Sequence, residues 1–105
     1  MQAEIAIALR AENPARNVRR AWRAEAGTDL FGVWLVQTRF GRIGTEGRVL
    51  ARSFADEEGA RAYLAASLRR RAGAVRRIGV AYREEASASG GQRAGALWNG
   101  ILAGG

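Results

Sequence analysis

Phe40, Gly41 and Arg42 stand at the end of a strand-like run; Gly44 and Gly47 then force a reversal, and a second strand-like run opens at Arg48. An aromatic face beside guanidinium groups, held on a glycine-pinned hairpin, can stack on a sugar or base while pairing with phosphate. The same residues also suit a plainer arrangement, with Phe40 in the core and Arg42 and Arg48 solvated. The position of the Phe40 ring separates the two. A ring buried under a helix has no face to offer a ligand, whereas one exposed beside the arginines does.

Other chemistry is scarce in this chain. It has no cysteine, histidine or lysine. That removes thiolate and redox chemistry, the usual proton shuttle, the commonest metal ligands and the Schiff-base nucleophile. The carboxylates cluster as Asp56-Glu57-Glu58 and Glu84-Glu85, where helix-capping and solvation roles suffice. No nucleophile stands beside a base, and no pair of carboxylates is spaced for acid–base work. Gly41-Arg42-Ile43-Gly44 lacks the Gly-Lys-Ser/Thr of a P-loop. The expectation is a protein without catalytic residues, cofactor or metal.

Charge points elsewhere. All 17 basic residues are arginine against 10 acids, a net +7 over 105 residues. Residues 16–83 hold 15 arginines and 6 acids, a net +9, while residues 1–15 and 84–105 each carry −1. The excess therefore belongs to the folded region, as the electrostatic footprint of a polyanion binder would. A skew to Arg, Ala and Gly is also what a GC-rich bacterial genome writes. No stretch approaches the roughly 18 apolar residues of a membrane span, and no signal-peptide pattern opens the chain. A cytoplasmic protein is expected.

Several elements must position these residues. Glu4 to Arg10 alternates with Ile5, Ile7 and Leu9 on one face, and Asn13-Pro14 ends it. Val18 to Ala26 alternates again, setting Val18, Trp22 and Ala24 against Arg19, Arg23 and Glu25. Gly27-Thr28-Asp29 makes a turn; in Val33 to Phe40, Trp34, Val36, Thr38 and Phe40 share a face, with Trp22 and Trp34 expected in the core. Gly47 to Phe54 is a fourth strand carrying Arg48, Leu50, Arg52 and Phe54 together. Ser53 and Asp56 have capping-box spacing, and a helix follows from about Asp56 to Arg71. Its stripe at helical spacing is Ala60, Leu64, Ser67 and Leu68, with Tyr63 alongside. Asp56, Glu57 and Glu58 at its start and Arg69, Arg70 and Arg71 at its end complement the helix dipole, and Gly73 closes it. The Arg triplet can serve that dipole, a phosphate, or both. Val75 to Arg83 reads as a last strand; Ala86 to Gly95 reads as a flexible segment, followed by an apolar cluster of Leu97, Trp98, Ile101 and Leu102. The fold class is α+β: a small antiparallel sheet of four to five strands with one helix across a face.

The spacing around the hairpin resembles the WGR domain, named for a Trp-Gly-Arg motif. The family pattern runs Asn-x-x-Arg and an aromatic pair, then Asp-Leu-Phe-Gly, then a Trp, and six residues later Trp-Gly-Arg-Ile/Val-Gly. The counterparts are Asn17-Val18-Arg19-Arg20-Ala21-Trp22, Asp29-Leu30-Phe31-Gly32, Trp34, and Phe40-Gly41-Arg42-Ile43-Gly44, followed by Gly47 and Phe54. The likeness extends from about Asn17 to Tyr82. Two departures stand out: the signature Trp is Phe40, which keeps a stacking face but loses area and the indole N–H, and Thr38-Arg39 precedes it. The resemblance is to small stand-alone bacterial WGR proteins.

In DNA-break-sensing poly(ADP-ribose) polymerases, the WGR domain touches DNA near a strand end. Its motif aromatic packs on a sugar, and its motif arginine links DNA to neighbouring domains. By position, the resemblance implies that Phe40 stacks, Gly41 lets a backbone approach and Arg42 bridges. Arg39, Arg48 and Arg52 are added from charge and strand position as phosphate contacts. The expected organisation is an N-terminal strand and turn at 1–15, a WGR-like domain at 16–83 and a flexible tail at 84–105. The expected function is a nucleic-acid-binding module without sequence specificity, contacting sugar-phosphate backbone or strand ends. DNA is favoured over RNA and poly(ADP-ribose), with a nucleoid setting if DNA is the ligand and no membrane partner. The alternative is a protein-interaction module whose basic sheet face or apolar tail, anchored by Trp98, Ile101 and Leu102, holds a partner or a second copy.

Overall fold

Alternation of apolar and polar residues along successive segments gives a sheet with one dry face, and the computed structural model, which describes residues 1–85 and 91–104, shows that sheet directly. Its strands are β1 (Gln2–Asn13), β2 (Val18–Thr28), β3 (Trp34–Arg42), β4 (Arg48–Phe54) and β5 (Arg83–Glu84). They are ordered β4-β3-β2-β1-β5, all antiparallel. Register follows the hydrophobic pattern: Leu9 opposes Trp22, Trp22 opposes Phe40, and Phe40 opposes Arg48. A shift of one residue would turn every one of these side chains to the other face.

Two long helices cover the dry face, α1 (Glu57–Ala72) and α3 (Gly91–Ala103), with a short α2 (Ala74–Ile78) between them in the chain. Asp56 caps α1 by accepting the Gly59 N–H at 2.9 Å, and Glu57 and Glu58 follow in the positive first turn. The buried stripe of α1 is Ala60, Leu64 and Leu68, while Ser67, expected with them, is only partly buried. These pack with Ile5, Ile7, Leu9, Trp22, Ala24, Ala26 and Val36 of the sheet into one core. Trp22 is buried, whereas Trp34 is half-buried at the core's edge.

The C-terminal part departs from the sequence reading. Val75 to Arg83 was expected as a strand, but Ala74–Ile78 forms a single helical turn, and only Arg83–Glu84 pair with β1, opposite Arg10 and Leu9. Gly73 and Gly79 bracket that turn, Gly79 in the left-handed region at φ 75°, which favours a helix stop over a continuing strand. The region expected as a flexible tail carries α3, and Trp98 is 2% exposed within the core. Its indole is therefore not available as a partner anchor. Residues 86–90 of the expected flexible segment lie outside the described residues.

The β3–β4 hairpin is closed by two glycines. Gly47 adopts φ 70°, and a Cβ there would lie 2.4 Å from the Phe40 carbonyl oxygen; one on Gly41 would lie 2.8 Å from the Gly47 Cα. Backbone meets backbone at this point, so only glycine fits.

Two stability outcomes are expected. Trp98→Ala should lower unfolding free energy by about 3–5 kcal/mol in urea titrations, the usual cost of emptying an aromatic core site; a loss under about 0.5 kcal/mol would mean α3 is not part of the core. Gly47→Ala should cost about 1–3 kcal/mol, because it adds strain at a left-handed residue and a contact with Phe40.

Candidate nucleic-acid interface

The end of the sheet where β2 begins and β3 ends meets the C-terminal turn of α1 and the single turn of α2. Between them lies an open cleft of about 480 Å³, lined by Asn17, Val18, Arg19, Arg20, Ala21, Phe40, Gly41, Arg42, Arg70, Arg71, Ala74, Arg77, Ile78 and Tyr82. Six of these are arginines and none is acidic. Two rings, Phe40 and Tyr82, complete the wall. Cations, aromatic faces and a concave shape together favour a ligand with phosphate and a flat sugar or base.

Four elements, β2, β3, α1 and α2, hold the arginines. Arg20 and Arg42 are cross-strand partners on the helix-covered face, two residue pairs beyond Trp22 and Phe40. Arg42 donates to the Asn17 side-chain oxygen at 3.1 Å, and Asn17 is itself in the left-handed region at φ 56°. Arg71 leans its guanidinium over the Trp22 ring, 5.0 Å from the centroid, joining the end of α1 to the sheet. Arg77 donates to the Arg70 carbonyl, satisfying one of the last open acceptors of α1. Among the described residues, none of the six cleft arginines forms an ion pair.

Burial lowers the Arg71 pKa, and Arg70 and Arg77 push in the same direction, opposed by Tyr82 and Tyr63. An arginine so placed stays protonated and carries its charge partly out of water. A bound anion would compensate that charge. The arrangement is one of like charges held close by packing.

Phe40 is half-buried: it packs against the core on one side and lines the cleft on the other. It is thus neither a wholly exposed ring nor a core residue sealed under a helix. Arg42 and Gly41 line the cleft with it, though the space above Gly41 is filled by Gly47 rather than left for a ligand backbone.

The other expected residues divide. Arg48 opposes Phe40 on the same face and is exposed on the edge strand, at the margin of the cleft. Arg52 lies four residues on, about 13 Å away along the strand, with its guanidinium 5.4 Å from the Tyr63 ring centroid. Arg39 alternates to the opposite, uncovered face, opposite Arg23 and Val49, and donates to the Glu46 carbonyl at 2.7 Å. Arg39 and Arg52 therefore do not join the cleft. Sequence reading missed Arg19, Arg20, Arg70, Arg71 and Arg77 as a group; the Arg69–Arg71 triplet at a helix end was the available signal.

Among the described residues, no group of acids, cysteines or histidines is placed to hold a metal ion, and no helix is long and apolar enough to cross a membrane.

No curated protein and no solved structure gives a match to this chain. A family model described as WGR domain matches residues 5–74. That span includes β1 from Ile5 onward, β2 to β4, all of α1, and both Phe40 and Arg42. The chain belongs to the WGR domain family, whose members are in general nucleic-acid-binding modules.

Proposed function

We propose that this protein is a non-catalytic module that binds DNA through sugar and phosphate, without reading sequence, by seating a strand end or backbone in the arginine-lined cleft. The observation that carries this reading is the cleft itself: six arginines from four elements, none in an ion pair among the described residues, around a half-exposed phenylalanine. Phosphate contacts supply affinity and register, and no base-reading element is offered. Phe40 would stack on a sugar or base, Arg42 and Arg20 would hold one side of the backbone, and Arg71 and Arg77 the other. Arg48 lies where a backbone leaving the cleft would pass. DNA is preferred over RNA and poly(ADP-ribose), and a nucleoid-associated, cytoplasmic setting follows from that preference.

The protein-interaction alternative loses Trp98 as an anchor, since it is buried in the chain's own core, while Ile101 and Leu102 keep part of their surface. Its other half, a basic sheet face, remains on the uncovered side as Arg23 and Arg39.

Fluorescence anisotropy with a blunt duplex, a closed dumbbell duplex, single-stranded DNA and single-stranded RNA tests the proposal. Binding should fall steeply with salt, with a log–log slope of about −4 to −5 on duplex if four to six arginines each neutralise a phosphate. Arg42→Ala should weaken binding and flatten that slope by about one. Phe40→Leu, which keeps apolar packing but removes the flat ring, should cost about 1–3 kcal/mol of binding with little change in slope. Absence of binding to every probe near 100 mM salt, or a Phe40→Leu variant that binds like wild type, would remove the cleft mechanism.

A further inference from the structure

At the end of the sheet away from the cleft, the β2–β3 turn holds two large apolar side chains in water. Leu30 is 99% exposed and Phe31 90%. This turn is rigidly built. The Asp29 carboxylate accepts N–H bonds from Phe31 at 2.8 Å and Val33 at 3.0 Å, and Gly32 donates to the Asp29 carbonyl at 3.1 Å. A fixed backbone that presents an apolar pair costs solubility and suits a knob made to enter a recess. Its neighbours at this end are acidic: the pairing of Trp34 with Phe54 places the turn beside the start of α1, with Asp56, Glu57 and Glu58.

The opposite end of α1 offers a matching recess. A groove of about 880 Å³, separate from the arginine cleft, runs between α3 and the end of α1 with α2. Val75, Leu97, Ile101 and Leu102 give it apolar walls, and Arg69 and Arg76 give it basic ones. Knob and recess are thus complementary in both apolar character and charge, and lie toward opposite ends of the 16-residue α1, roughly 24 Å apart along its axis and too far to meet within one chain. We infer that the Leu30–Phe31 turn of one copy docks into the α1–α2–α3 groove of a second copy. The contact is heterologous, head to tail, so every assembly keeps one free knob at one end and one free groove at the other and stays open-ended. Such a chain of copies would present the arginine clefts in a row.

Sedimentation velocity of the full chain without nucleic acid tests this independently of DNA binding. Leu30→Ser/Phe31→Ser removes the knob at exposed positions. Gly100→Glu fills the groove with an opposing charge; a Cβ at Gly100 meets nothing within 4 Å, so the helix tolerates it. Leu102→Ser, at a half-exposed position, is a second groove variant. The wild-type weight-average mass should rise by about twofold or more between about 10 µM and 1 mM, the range of a small, weak interface. Each variant alone should remain monomeric. An equimolar mixture of the knob and Gly100→Glu variants should form a dimer and stop there, because only one productive contact survives. Wild type that stays monomeric throughout, or variants that each self-associate like wild type, would overturn the inference.

Discussion

Trp22 sits where the core and the candidate interface meet. Its indole is buried between Leu9 and Phe40 across the sheet, and Arg71 of α1 lies over its ring. Both the helix docking and the cleft geometry depend on that stack. Burying a large aromatic ring offsets the cost of bringing a guanidinium partly out of water, and the ring face gives the cation a partner that is not a carboxylate. Arg71 is thereby held in place with its charge uncompensated, and the same packing sets Phe40 and Arg42 opposite it. A salt bridge at this position would hold the helix as well but would neutralise the site.

The arginine triplet at the end of α1 has two roles that reinforce each other. Cations in a last turn complement the helix dipole. Gly73 N–H and the Arg77 side chain also satisfy carbonyls of residues 69 to 71. Those terms explain why arginines are tolerated there; they do not explain why three further arginines from β2 and β3 converge on the same cleft with no acid in its wall. Self-repulsion of that kind destabilises an isolated domain and is relieved by a polyanion.

Much of this was legible in the residues. Strict alternation gave the first four strands and their dry face, and the spacing of Ala60, Leu64 and Leu68 gave α1, because both periodicities repeat over several turns or pleats. Phe40-Gly41-Arg42 with Gly44 and Gly47 marked the hairpin, since close backbone approach there demands glycine. The placement of Arg39 could have been avoided: Trp34, Val36, Thr38 and Phe40 share a face, so Arg39 must point to the other. Residues 75–85 were harder. One turn of helix and a two-residue strand carry too few repeats for any period to register. α3 was hidden by composition, since glycine and alanine suggest a linker yet also permit close packing; a Cβ at Gly95 would lie 2.9 Å from a Glu84 carboxylate oxygen. The cleft arginines from α1 and α2 are remote in sequence from the hairpin, and only the docking of α1 brings them together.

Because the cleft and the uncovered sheet face carry arginines on opposite sides of one sheet, the side of the sheet that a polyanion occupies is the decisive observable. Arginine side-chain N–H resonances, recorded during titration with a short blunt duplex, report it residue by residue. The signals of Arg42 and Arg71 should move together and saturate with the duplex, while that of Arg23 stays in place. Movement of Arg23 and Arg39 with Arg42 and Arg71 unperturbed would place the nucleic acid on the open face and contradict the cleft as the binding site.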